Sequence, residues 1–302
     1  MSYTVVVRLA VAALLCLVPT VARADRLVFV HANGRVALRP DSRALGATLF
    51  GKGREPALSP DGTHVLYWTN TSGGAIEDSS PLMWAEAAGA APREWRRGNL
   101  RSPEFSPDGK QVLFGEMSGG QWSVMSSPAA PQAIPKLLFR APADSVFHAS
   151  WQPDGRGILT ANLETLFWVA LDGTIQRRVA VSELTGGASI SSSDHFRLSP
   201  ANPDRLLFSA EAESTPAMER KMHEGPSSAL FVYDLATKTR VRLTGSDVFA
   251  TDPTWSRDGA TIYFHGFRIA GKNSAALPEG ILRMDADGKN LQRLAAGSEP
   301  GT

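Results

Sequence analysis

One short pattern returns five times along this chain: an apolar or aromatic residue, a tight polar turn, then an alternating apolar run. It reads PALSPDGTHVLYW from Pro56, PEFSPDGKQVLFG from Pro103 and ASWQPDGRGILTA from Ala149. It returns as FRLSPANPDRLLFSA from Phe196 and PTWSRDGATIYFHG from Pro253. Proline presets φ for the second position of a turn, and Asp-Gly supplies the residue that tolerates positive φ. The fourth copy carries an insertion before Asp204, and the fifth has Arg257 where the others have proline. With strands on both sides, each copy reads as a hairpin.

A second hairpin follows in several copies, as in TLFWVALDGTIQRRVA from Thr165, ALFVYDLATKTRVRLT from Ala229 and ILRMDADGKNLQRLAA from Ile281. Two hairpins make four antiparallel strands, A to D. The turns fall at residues 60, 107, 153, 200 and 257, at intervals of 47, 46, 47 and 57. Extra residues within 212–228 account for the long interval. Four-stranded units of ~40–50 residues are propeller blades. Residues 26–50 read as strands B, C and D, and Glu299-Pro300 is in phase with Glu55-Pro56 and Asp252-Pro253. The expectation is an all-β, six-bladed β-propeller whose ring is closed through the N- and C-termini.

The N-terminal residues have a different grammar. Arg8 precedes an uncharged apolar run, Leu9 to Val18, and Ala22-Arg23-Ala24 offers small residues at the −3 and −1 positions of a cleavage site. Residues 1–24 therefore read as a cleaved signal peptide and residues 25–302 as the propeller. No other stretch is apolar enough to span a membrane. Removing residues 1–24 leaves 278 residues with 29 basic and 30 acidic side chains, and no cysteine, since Cys16 leaves with the leader. That balance excludes nucleic acid as a main partner, and disulfides and thiolate chemistry are excluded as well.

The repeat resembles that of the TolB-like propellers, which have W-S-P-D-G between strands A and B and D-x-D-G near the C–D turn. Trp255-Ser256-Arg257-Asp258-Gly259 and Asp285-Ala286-Asp287-Gly288 match it most closely, and the resemblance covers roughly residues 26–302. With the signal peptide cleaved, the expected location is periplasmic or otherwise extracytoplasmic. TolB carries an N-terminal α/β domain ahead of its propeller, for which this chain has no room.

In a four-stranded meander the A–B and C–D turns share one face, and the D–A and B–C loops share the other. The first face is built of tight turns. The second carries the insertions, at residues 70–80, 181–194, 212–228 and 268–280. Long loops on a rigid scaffold are where binding sits. Five residues before each turn, the innermost strand on that face presents Glu55, Ser102, His148, His195 and Asp252, with Glu299 in phase at the tail. These six are expected to form an axial ring. The five strand tryptophans (Trp84, Trp122, Trp151, Trp168 and Trp255) read as inter-blade core. Asp61, Asp108, Asp154 and Asp258 read as turn formers.

The leading functional expectation is a non-catalytic binding or scaffold protein, monomeric and without a cofactor. It would engage a protein or a cell-envelope polymer through the D–A/B–C face. The alternative is a metal-dependent carbohydrate-active enzyme similar to oligogalacturonate lyases. There, His148, His195 and Asp252 would hold one divalent transition metal, with Glu55 or Glu299 as base or further ligand. A serine peptidase is disfavoured, because no G-x-S-x-G elbow occurs.

Overall fold

A computed structural model of the chain describes residues 26–40, 46–69, 80–140, 146, 148–223, 225–271 and 274–302. The signal-peptide reading and most of the 70–80 loop lie outside these residues. The described strands form six four-stranded antiparallel sheets. Blade 2 runs Arg54–Leu58, His64–Trp68, Ser80–Glu86, Arg93–Gly98, and blade 3 runs Leu100–Phe105, Gln111–Ser118, Gln121–Pro128, Lys136–Phe139. Blade 4 comprises His148–Trp151, Gly157–Ala161, Thr165–Ala170 and Ile175–Ala180. Blade 5 comprises Arg197–Leu198, Arg205–Glu211, Ser228–Asp234 and Thr239–Arg242. Blade 6 comprises Val248–Trp255, Thr261–Arg268, Leu277–Asp285 and Gln292–Ala295. In blade 1, Leu27–His31, Arg35–Arg39 and Thr48–Lys52 are joined by Gly297–Gly301, which pairs antiparallel with Leu27–His31. Two short helices, Val181–Thr185 and Pro216–Lys221, lie in insertions of the loop face. No helix among the described residues is long and apolar enough to cross a membrane.

The repeated turn holds itself together. Ser59 Oγ donates to Asp61 Oδ1 at 2.6 Å and accepts from the His64 amide at 2.9 Å, while Asp61 Oδ1 accepts from the Thr63 amide at 2.9 Å. Gly62 closes the turn at φ +71°. Ser106 with Asp108 and Ser256 with Asp258 repeat the arrangement. These aspartates are turn formers, and the bonds they accept hold the carboxyls of Asp61, Asp108 and Asp258 below the ordinary value.

Apolar side chains on both faces of each sheet pack against the neighbouring blades, and the five strand tryptophans are all buried. On the A strands the indole also carries a bond between blades. Trp151 Nε1 donates to the Glu104 carbonyl of blade 3, and Trp255 Nε1 donates to the Arg197 carbonyl of blade 5, each at 3.2 Å. Tryptophan ahead of the turn thus combines a large buried area with a satisfied polar handle.

Blade 6 departs from the expected boundaries. Residues 268–280 were expected to be a loop, yet the flanking strands run on past the Gly266–Gly280 pair until Arg268 pairs with Leu277. A Cβ on Gly266 would lie 2.2 Å from the Phe249 carbonyl oxygen, and one on Gly280 would lie 2.1 Å from that of Ala295. Only glycine allows this close approach, so two residues that resemble loop punctuation extend the sheet.

Candidate functional site

All six ring residues line one cavity of about 270 Å³ at the loop-face end of the axis. Several of them lie within a strand rather than at its start. Glu55, Ser102 and Asp252 sit inside A strands, where the pairing shifts register. Their φ angles are +48°, +50° and +51°, and Glu299 matches them at +52°. Each is followed by proline, as Glu55-Pro56, Ser102-Pro103, Asp252-Pro253 and Glu299-Pro300. Proline disfavours the right-handed helical region for the residue before it. The left-handed conformation costs a non-glycine residue roughly 1–2 kcal/mol. Bulged, strained backbone of this kind re-aims a side chain, and here the four side chains line the axial cavity. His148 opens its strand and His195 stands two residues ahead of Arg197–Leu198, neither at positive φ.

The ring is joined by contacts between successive blades. Glu299 Oε2 accepts from the Glu55 amide, and Glu55 Oε2 accepts from the Ser102 amide, both at 2.5 Å. Ser102 Oγ lies 2.6 Å from His148 Nδ1. The His148 and His195 rings then stack, with centroids 3.8 Å apart and planes at 28°. Arg54 Nε pairs with Glu299 Oε1 at 3.2 Å.

One layer deeper is a pair that the sequence reading missed. Glu104 of blade 3 and Arg197 of blade 5 meet at 2.6 Å, reaching past blade 4, whose Trp151 amide donates to Glu104 Oε1 at 2.9 Å. Glu104 and Arg197 stand two residues after Ser102 and His195, so strand periodicity places them on the same face one step along. That signal was available in the sequence. Both residues also line a second axial cavity, of about 330 Å³, at the tight-turn end with Pro60, Pro107, Pro153 and Pro200.

Acidic side chains outnumber guanidiniums around the loop-face cavity. Glu55, Glu104, Asp252 and Glu299 line the loop-face cavity against two guanidiniums, Arg54 and Arg197, which pair with Glu299 and Glu104. Burial, then repulsion from Glu299, Asp194 and Glu55, pushes the Asp252 carboxyl up to about 7. Burial, reinforced by Glu299, also raises Glu55 against the opposing bond from Ser102. Burial and then the Arg101 charge lower His148 to about 3, and burial and His148 hold His195 well below 6.5. Both imidazoles are therefore neutral at physiological pH.

His148, His195 and Asp252 share the cavity, yet the two imidazoles lie face to face. Among the described residues no three His, Cys, Asp or Glu side chains are grouped as metal ligands would be. The remaining histidines have local surroundings. His64 packs on Trp84 at 4.6 Å, and His265 Nε2 lies 3.2 Å from Glu279.

No family model matches the chain, and no curated protein matches its sequence. Solved structures do match. TolB from Acinetobacter baumannii superposes with TM-score 0.65 at 16% identity, over 92% of this chain and 66% of that one. A protein assigned as TolB from Agrobacterium tumefaciens gives 0.57 at 16% identity, over 92% and 91%. Hydrazine synthase from Kuenenia stuttgartiensis gives 0.64 at 12% identity, over 92% of this chain and 46% of that one. This chain thus spans just under two thirds of the Acinetobacter protein. At these identities the likeness is one of fold: the chain is a six-bladed propeller of TolB-like architecture.

Proposed function

We propose that this chain is an exported, non-catalytic binding propeller. In this reading its loop face engages a protein partner, and a cationic group of that partner, a lysine, an arginine or an amino terminus, sits among Glu55, Asp252 and Glu299. One observation carries the reading: four carboxylates and two guanidiniums line a single axial cavity. Backbone held at positive φ fixes three of those carboxylates before any ligand arrives. Preorganisation of this kind lowers the ordering cost of binding. The Arg8 to Ala24 pattern supports export to the periplasm or beyond. The TolB-like fold is compatible with a scaffold role.

The test is cross-linking and capture from a native envelope extract, with the wild type beside Glu55→Gln plus Asp252→Asn. A partner enriched by the wild type and lost by the double variant supports the reading. The same partner captured equally well by both would refute the cationic seat, and capture of no specific partner would refute the binding role. Because Asp252 must ionise to hold a cation, affinity should rise between pH 6 and pH 8.

A further inference from the structure

The outermost strand of each blade forms the rim of the propeller, and its composition is one-sided. Across Thr48–Lys52, Arg93–Gly98, Lys136–Phe139, Ile175–Ala180, Thr239–Arg242 and Gln292–Ala295 there are ten Lys and Arg and one acid, Glu94. The whole chain carries 31 basic and 30 acidic residues, so the excess on the rim is a segregation of charge rather than a general basicity. Two of the ten, Arg96 and Arg97, are engaged in ion pairs with Glu116 and Glu94. The other eight have no ion pair among the described residues.

On blades 4 and 5 three of the four rim arginines lie over aromatic rings. The guanidinium carbon of Arg177 lies 4.9 Å from the Trp168 ring centre, that of Arg178 5.9 Å from Phe167 and that of Arg240 4.9 Å from Phe231, all within cation–π range. The three rings are buried and the three arginines exposed. A guanidinium held over an aromatic ring loses less freedom on binding and still offers N–H groups to oxyanions. Charged residues on edge strands also discourage sheet-to-sheet aggregation. That purpose is served especially by lysine, whereas eight of these ten cations are arginine, the side chain suited to oxyanion recognition.

We propose that this rim is a binding surface for an extended acidic polysaccharide, whose carboxylate or sulfate groups meet the exposed arginines and lysines of successive blades. The inference does not depend on the axial cavity. Several observations favour a flexible glycan over other polyanions. The cations are spread around a curved perimeter rather than gathered on one face, so a planar membrane meets only one or two blades at a time. Duplex DNA is stiff over about 50 nm and cannot follow such a rim. Single-stranded nucleic acid is held by bases stacking on open aromatic side chains, and the rim aromatics are buried.

The experiment measures binding of the whole protein to heparin (sulfate) and to alginate (carboxylate) across a salt series, with a 20-base-pair duplex and a 20-base oligothymidine alongside. Arg177→Gln, Arg178→Gln and Arg240→Gln combined should weaken glycan binding at least tenfold at low salt. Polyanion binding loses roughly 0.7–0.9 of log–log salt slope per contact removed, so the slope should fall by about 2. The corresponding Arg→Lys triple should keep the slope. A second variant, Lys52→Gln, Arg93→Gln and Lys136→Gln, changes exposed side chains on other blades and should lower the slope without disturbing these arginine–ring contacts. Which glycan binds tighter identifies the oxyanion. Wild-type affinity for both glycans in both Gln variants, even with new aggregation, would overturn the proposal and leave edge protection as the role. Binding of either nucleic acid as tight as that of the better glycan would overturn it too.

Discussion

Replacing Asp252 with asparagine should stabilise the protein, and by more at high pH than at low pH. The Asp252 carboxyl is displaced from 3.8 to about 7 by burial and neighbouring carboxylates. For an acid whose folded value is raised, the favourable contribution is complete below the unfolded value, near 4, and is lost as pH rises through 7. At 1.36 kcal/mol per unit, ionised Asp252 costs the folded state about 4 kcal/mol at pH 8. At pH 5 the unfolded chain has already released this proton and the folded protein has not, and the cost is about 2 kcal/mol by the same linkage. Asparagine carries no charge and tolerates φ near +51° well. The variant should therefore gain about 2 kcal/mol at pH 5 and about 4 kcal/mol at pH 8. Urea unfolding at the two pH values, with m-values compared to exclude a changed denatured state, measures the difference. A gain of the same size at both pH values would refute the reasoning, because relief of backbone strain alone has no pH dependence.

Four further outcomes follow from the structure. Ser102→Gly should be more stable than Ser102→Ala by about 0.5–1 kcal/mol in thermal unfolding, since both lose the contact to His148 but only glycine suits φ +50°. His148→Gln should flatten the loss of stability as pH falls from 6.5 towards 3, because the folded protein resists protonating this buried ring and the unfolded chain does not; acid titration followed by near-UV circular dichroism reads this. Trp255→Ala should cost about 3–5 kcal/mol, as it empties a buried inter-blade position and orphans the Arg197 carbonyl. Gly266→Ala should lower the midpoint of chemical denaturation markedly, because the new Cβ meets the Phe249 carbonyl oxygen.

The blade count, the four-strand unit and the two faces were legible because each repeat carries its own turn chemistry, and variants of Ser-Pro-Asp-Gly in the same place of five repeats leave little choice of register. The six ring positions were legible for the same reason: equal phase in each repeat becomes equal height along the axis. The positive φ at Glu55, Ser102, Asp252 and Glu299 was not, since glutamate gives no local sign of left-handed backbone. The shared proline after each of these residues argues against right-handed helical backbone and gives no sign of positive φ. Face-to-face stacking of His148 and His195 depends on blade rotation and side-chain torsion, which phase alone does not encode. Strand phase places Glu104 and Arg197 on the axial face, but their pairing depends on reach between alternate blades, a distance that no spacing along the chain contains.

Glu, Ser, Asp and Glu occupy the same bulge in four different blades, with nearly identical backbone angles. The scaffold thus dictates where a side chain is presented and leaves its chemistry open. Exchanging those four residues among small polar, acidic and amide types would redraw the selectivity of the axial cavity while the sheets stay as they are. A propeller built this way behaves as a lock with interchangeable wards, and its specificity can drift faster than its architecture.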